Sequence, residues 1–217
     1  LPAFLEKKEE RKVYLIREDT QMLTVIGDVH GYHDSYLNLA TKCKATVQVG
    51  DFGFNYDCMS GMDPDIHKII GGNHDNYDVI DSCPNYLGDF GVTTVAGVQF
   101  FFVRGEKSVD AHLRIEGENW WRAEELDMKT SYMALEAYEA AKPEIVISHG
   151  CPAEMIPFFA TNTLKHQPSR TAQLLDSMWN VHRPKLWIFG HHHKSETLKV
   201  GDTTFHCLNE LEPFVIS

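Results

Sequence analysis

Three consecutive histidines, His191, His192 and His193, close the apolar stretch KLWIFG far from either terminus. Neutral imidazole is the commonest metal-ligating side chain. Residues two apart on an extended backbone share a side, so the spacing predicts that His191 and His193 face one site while His192 turns away. Asp28 and His30, in GDVHG, repeat that spacing. Other groups able to ligate also follow glycines or lie next to them: Asp51 in GDFG, Asn73 in GNHD and His149 in SHG. Carboxylates, imidazoles and a single amide oxygen suit borderline or hard divalent cations. The seven groups exceed the needs of one ion and match two ions that share a carboxylate. Two ions about 3.5–4 Å apart can clamp a phosphoryl group and hold a hydroxide for in-line attack. Taken singly, Asp28, Asp51 and Asn73 are residues that end strands or start turns after glycine, and His149 is a core histidine. Their ordered recurrence decides for metal chemistry.

The elements that must position these groups are short. Each cluster lies in or at the end of an apolar, β-branched run, at 22–31, 45–53, 67–75, 144–150 and 185–193. Such runs read as buried strands. Helical spacing occupies 33–44, 131–142 and 171–182, with Asp34 or Ser35 as cap of the first and Ser169 or Thr171 as cap of the last. Two further runs, 94–105 and 203–217, alternate less cleanly and are assigned to a second sheet or hairpin. Alternating strands and helices predict an α/β layered domain, whose ligands gather beyond the carboxyl ends of strands. Residues 1–21, with the charge run EKKEERK and a candidate edge strand at 13–18, read as an N-terminal extension to a single domain spanning 22–217. The Gly- and charge-rich stretch from Arg104 to Trp121 is the candidate lid.

Composition removes several function classes. With 217 residues, 43% of them hydrophobic, the chain can bury the core of one domain, or of one domain and a cap. No run approaches the about 20 apolar residues that span a bilayer, so no membrane partner is expected. The opening LPAFLEKKEERK lacks the order of a secretory signal. Five scattered cysteines (Cys43, Cys58, Cys83, Cys151, Cys207) form no C-x-x-C pair, which predicts free thiols, a cytoplasmic setting and no zinc–thiolate site. A net charge of −11 argues against a broad polyanion-binding surface, so nucleic acid is not the expected partner. A small phosphorylated substrate is compatible, because bound divalent cations reverse the local sign. Nothing in the composition signals an oligomeric state.

In order, GDVHG, GDFG, GNHD, SHG and GHHH over residues 24–193 resemble the motif series of the calcineurin-like metallophosphoesterases. The resemblance implies a two-sheet β-sandwich flanked by helices, with the active site at the C-terminal ends of strands. It implies Asp28, His30 and His193 on one metal, Asn73, His149 and His191 on a second, and Asp51 bridging both. The expected cofactors are two divalent metal ions, Mn first, with Fe, Zn or Ni as alternatives. His74 takes the place of the family's active-site histidine, stabilising the transition state or protonating the leaving oxygen. The implied activity is hydrolysis of a phosphomonoester or phosphodiester by a metal-bridging hydroxide, with a small nucleotide or cyclic phosphodiester preferred. Protein serine/threonine phosphatases of this fold carry GD-x-x-DRG at the second block, where this chain reads GDFGFNYD. That departure sets it outside that branch and leaves His74 without its usual partner. Asp75, adjacent in sequence, is the candidate in its place. Rival readings are a non-catalytic metal-binding scaffold of the same fold, which should have lost ligands, and a nuclease acting on DNA or RNA, which should carry a basic stripe.

Other residues invite two readings each. Arg104, Asp110 and Arg114 offer an arginine fork for phosphate or an ion pair under the excursion. Trp120 and Trp121 can stack on a nucleobase or anchor a lid. Asn76 and Tyr77 border a substrate path. His33, His67, His112, His166, His182, His192 and His206 are read as structural or solvent-facing, with His33 the nearest exception because it follows the first motif.

Overall fold

β-branched and aromatic runs form ten strands, and helical runs four α-helices, in the described residues, 22–160 and 168–216, of the computed structural model. The candidate edge strand at 13–18, the rest of the extension and His166 lie outside them. One sheet has the order β10 (Pro213–Ile216), β1 (Leu23–Ile26), β2 (Thr46–Gln48) and β3 (His67–Ile69). Here β10 is antiparallel to β1 and the other neighbours are parallel. The second sheet has the order β4 (Phe90–Val95), β5 (Val98–Val103), β6 (Ile145–Ser148), β7 (Leu186–Phe189), β9 (Thr203–Cys207) and β8 (Glu196–Val200). It is parallel from β5 to β9 and antiparallel at both rims. Val25 pairs with Val47 in the first sheet, and Val146 lies between Phe101 and Trp187 in the second.

The central strands are apolar on both faces because both faces are covered. On β5, Phe100 and Phe102 enter the layer between the sheets with Leu23, Val47, Ile147 and Ile188. Phe101 and Val103 turn the other way, toward α2 (Met128–Ala141), α3 (Ile156–Phe159) and α4 (Arg170–Val181), and pack with Tyr138, Phe159, Trp179 and Trp187. Burying each such side chain fully is worth about 1.5–3 kcal/mol. Outside the first sheet, α1 (His33–Ala40) lays Tyr36 and Ala40 on Ile26, Phe52 and Ile69. Two mixed sheets flanked by helices are the fold class expected from the motifs.

The structure departs from the sequence reading in its details. The five motif strands do not share a sheet: β1, β2 and β3 lie in the first, β6 and β7 in the second. The run at 94–105 holds β5 and the end of β4, folded back at Ala96 and Gly97, whose φ values of 48° and 79° suit a primed hairpin turn. The run at 203–217 splits into β9 and β10, which join different sheets. Ser169 caps α4 by accepting from Ala172 N at 2.8 Å, whereas α1 begins after Tyr32 with no side-chain cap and keeps Asp34 in its first turn. No described helix is long and apolar enough to cross a membrane.

Candidate metal centre

Every candidate ligand follows the C-terminal end of a parallel strand: Asp28 and His30 after β1, Asp51 after β2, Asn73 after β3, His149 after β6, and His191 and His193 after β7. His30, Asp51, His191 and His193 have φ of 49°, 56°, 63° and 51°. Left-handed backbone at non-glycine residues costs on the order of 1–3 kcal/mol and tends to collect at functional sites. The extended-backbone argument for the histidine pair therefore does not describe this segment. The turn splits the pair, sending His191 toward Asn73 and His193 toward His30. Neighbouring glycines leave the room required. A Cβ on Gly190 would overlap Asp28 Oδ1, and one on Gly50, at φ 107°, would stand 2.6 Å from His149 Nδ1.

The side chains form two groups that share Asp51. Asp28, His30, Asp51 and His193 make one, Asp51, His149 and His191 the other, with the ligating atoms of each within 4.8 Å of one another. In the first, His193 Nε2 lies 2.8 Å from His30 Nε2 and 3.1 Å from Asp28 Oδ2. In the second, Asn73 Oδ1 lies 3.0 Å from His149 Nε2 and 2.9 Å from His191 Nδ1. Asp51 turns Oδ1 to His149 Nε2 at 3.2 Å and Oδ2 to His30 Nε2 at 3.7 Å. All seven sequence-derived candidates thus meet in two adjoining groups, from which Asp51, Asn73, His191 and His193 line a cleft.

His149 Nδ1 stands 3.0 Å from the Val49 carbonyl, which only accepts, so Nδ1 carries a proton and Nε2 is the atom turned toward Asn73 and Asp51. Asn73 Nδ2 donates to Ser108 Oγ at 3.2 Å, which turns Oδ1 toward the histidines. His149 Nε2 then faces two acceptors, Asn73 Oδ1 and Asp51 Oδ1, so a positive group belongs between them. Without a metal that group is a proton on Nε2; a divalent cation fits the same place, and the donor set suits one. Titration points the same way. Burial disfavours charge on His149, yet the Asp51 carboxylate against it pushes its pKa up to about 10. Burial would raise Asp51, but His149 holds its carboxyl well below the usual carboxylate range. The site demands positive charge.

His74 lines the same cleft, of about 330 Å³, together with Asp51, Asn73, Arg114 and His191. Its backbone N–H donates to Asp51 Oδ1 at 2.7 Å and its ring meets His30 edge-on, centroids 5.1 Å apart. Burial lowers its pKa, with Asp51 opposing and Arg114 adding to the effect. Asp75 is not placed against that ring. Its buried carboxylate takes Phe52 N, Gly53 N and the Tyr56 hydroxyl on Oδ1 and Gly72 N on Oδ2, tying the Asp51 and Asn73 loops together. Burial, then the nearby Asp51 charge, raises its pKa to about 6 despite those donors. The group that does face His74 is Arg114, with Nη1 3.1 Å from Nδ1 and Nη2 3.0 Å from Nε2.

The remaining candidates divide. Arg104 is structural: it donates to Asp89 Oδ1 and the Ala123 carbonyl, each at 2.5 Å, and covers the Tyr77 ring. Trp121 anchors the excursion, donating to Asp78 Oδ2 at 2.7 Å and packing on Phe54. Tyr77 donates to the Gly72 carbonyl. His192 lies beside Cys151 Sγ at 3.4 Å, and His33 stacks on Phe52. Sequence spacing did not reveal Ser108, Glu124 or Glu210. Ser108 N and Oγ donate to the buried Glu124 at 2.9 and 2.6 Å, and Glu210 Oε1 stands 3.5 Å from His193 Nδ1. Their only signal was that Ser108 falls inside the excursion that follows β5.

Residues 22–195 match the family model of the calcineurin-like phosphoesterases, a span that contains all five motif blocks. A comparison with curated proteins finds no match. Among solved structures, a Staphylococcus aureus protein assigned as a 5′-nucleotidase, in complex with alpha-ketoglutarate, aligns with a TM-score of 0.56 at 12% identity, covering 90% of this chain and 50% of that one. Phosphopantetheinyl hydrolase from Mycobacterium tuberculosis aligns with a TM-score of 0.48 at 13% identity over 87% of this chain and 89% of that one. A predicted phosphoesterase from Streptococcus pneumoniae TIGR4 aligns at 0.40 and 14% identity over 88% and 72%. At 12% identity the likeness to the Staphylococcus aureus protein is one of fold alone. The family match spans the whole motif series, and on it the chain belongs to the calcineurin-like phosphoesterase family.

Proposed function

We propose that the chain is a metal-dependent phosphoric ester hydrolase acting on a small phosphomonoester or phosphodiester, with a nucleotide or cyclic phosphodiester as the preferred class. The observation that carries this reading is the meeting of His149 Nε2, Asn73 Oδ1 and Asp51 Oδ1 beside a second group that shares Asp51. Asp28, His30 and His193 would hold one divalent cation and Asn73, His149 and His191 the other, with Asp51 common to both. A divalent cation held there, Mn first or else Fe, Zn or Ni, would supply Lewis-acid charge and activate water for attack on phosphorus.

The chain's own residues supply the rest. The buried Val49 carbonyl and Ser108 hydroxyl keep His149 and Asn73 turned inward. His74, fixed by its backbone bond to Asp51, presents a ring nitrogen at the cleft wall, where it can donate to an oxygen of the substrate. Such proton assistance contributes typically ~10²–10⁴-fold. A cleft of about 330 Å³ suits a small ester, and the acidic balance of −11 disfavours a nucleic-acid polymer. The scaffold alternative is disfavoured because no candidate ligand is missing from the two groups and His74 lines the cleft beside them.

The test is to load the protein with Mn²⁺ and offer p-nitrophenyl phosphate and bis(p-nitrophenyl) phosphate. Turnover of at least one is expected, with His74→Ala slower by ~10²-fold or more at unchanged metal content. No turnover of either, together with no metal uptake, removes the reading.

A further inference from the structure

The excursion from Arg104 to Trp121 leaves the end of β5 at the same edge as the ligands and carries Arg114 into the cleft. Its position is determined from several sides. Nε lies 2.8 Å from Asp110 Oδ1, Nη2 donates to Asp110 Oδ2 at 3.0 Å, and Nη1 donates to the Asn119 carbonyl at 3.3 Å. Asn119 is itself held, its Oδ1 accepting from Ile115 N at 2.8 Å. The Arg114 side chain is only 13% exposed, so the guanidinium does not swing freely in solvent.

Three of the five guanidinium N–H groups are taken by Asp110 and Asn119. The other two face His74, one toward each ring nitrogen. Neutral imidazole has one acceptor nitrogen, because the other carries the proton, and imidazolium has none. The His74 ring therefore cannot satisfy both donors. Among the described residues, at least one N–H of a fixed, charged fork is left without an acceptor, at the wall of the cleft that Asp51, Asn73 and His191 also line. An unmade charged hydrogen bond in a partly buried site is costly, and an anionic oxygen in the cleft removes that cost.

We propose that Arg114 is a substrate-binding residue that grips a non-bridging phosphoryl oxygen beside His74, with Asp110 and Asn119 as the positioning residues that preset its fork. This deepens the hydrolase reading and rests on it only for the nature of the anion.

Binding of inorganic phosphate to the Mn²⁺-loaded protein, followed by isothermal titration calorimetry, tests the proposal apart from turnover. Arg114→Met keeps the apolar stem and is expected to weaken phosphate by about 10- to 100-fold, the scale of one charged hydrogen bond. Arg114→Lys should fall between Met and wild type, because a point charge replaces the fork. Metal stoichiometry by elemental analysis should be unchanged in both. Phosphate affinity within twofold of wild type in a folded, metal-replete Arg114→Met protein overturns the proposal, even if the wild type hydrolyses esters. A wild type that binds phosphate through Arg114 yet cleaves no ester leaves the proposal standing and removes the hydrolase reading. A wild type that binds no phosphate removes the proposal.

Discussion

Asn73 and Ser108 are joined by one hydrogen bond, Nδ2 to Oγ at 3.2 Å, and that bond decides which end of the Asn73 amide faces His149 and His191. Ser108 accepts there because its own proton goes to Glu124 Oε2 at 2.6 Å, while its backbone N–H meets Oε1 of the same carboxylate. Groups that orient a ligand commonly change metal affinity by ~10–100-fold when removed. Ser108→Ala frees the amide to turn, so the position formed by Asn73, His149 and His191 is expected to lose about tenfold or more in Mn²⁺ affinity. The position formed by Asp28, His30 and His193 should keep its affinity. Metal titration followed by electron paramagnetic resonance separates the two. Equal weakening at both positions would show that Ser108 acts on the fold and not on the amide.

The strands that carry the ligands were legible because each is buried on both faces and ends in glycine. Runs such as LTVI and LWIF have no other stable environment than a covered sheet. The division of those strands between two sheets was not legible, since β1 and β7 have the same apolar character and differ only in their neighbours. The exposed β8, ETLKV, offered no apolar face to detect. Which side chains would meet was legible from residue type and order, but the two-residue spacing was read through the wrong geometry. Positive φ at His30, His191 and His193 makes tight turns where extended strand was assumed. Arg114 and Ser108 reach the centre from an irregular excursion, 40 and 35 residues from their partners His74 and Asn73. No periodicity connects such pairs, and only the fold brings them together.

Glu106 gives a pH dependence of stability whose sign is opposite to that of an ion-paired carboxylate. The side chain is buried, Oε1 accepts from Lys107 N at 2.8 Å, and burial raises its pKa to about 7, against a partial lowering by Ser169. A folded pKa above the unfolded value means that the folded state holds more protons between the two. Stability from this group is then full below about pH 4.3 and is lost as pH rises toward 7, by up to about 1.4 kcal/mol per pH unit. Glu106→Gln keeps the shape and cannot ionise. Relative to wild type, the variant should gain stability on moving from pH 5 to pH 8, on the order of 3 kcal/mol. Urea denaturation of both proteins at the two pH values measures this, and parallel pH profiles would refute it.

Removal of metal should cost stability through Asp51 above all. Without metal, the positive charge against Asp51 is only that of protonated histidine, and four candidate ligand residues are held at positive φ. A ligand that binds only the folded state at 100 times its Kd stabilises it by about 2.7 kcal/mol. In a chain of this size each kcal/mol moves Tm by about 2–4 °C. Chelation of the Mn²⁺-loaded protein is therefore expected to lower Tm by about 5–10 °C. Asp51→Asn retains an oxygen for the His74 backbone N–H and removes the carboxylate that the two groups share. The variant should unfold at the same temperature with and without chelator. An undiminished response of Asp51→Asn to chelator would mean that the stabilising cation sits elsewhere, and a wild type indifferent to chelation would mean that the convergence of these groups serves the fold without a metal.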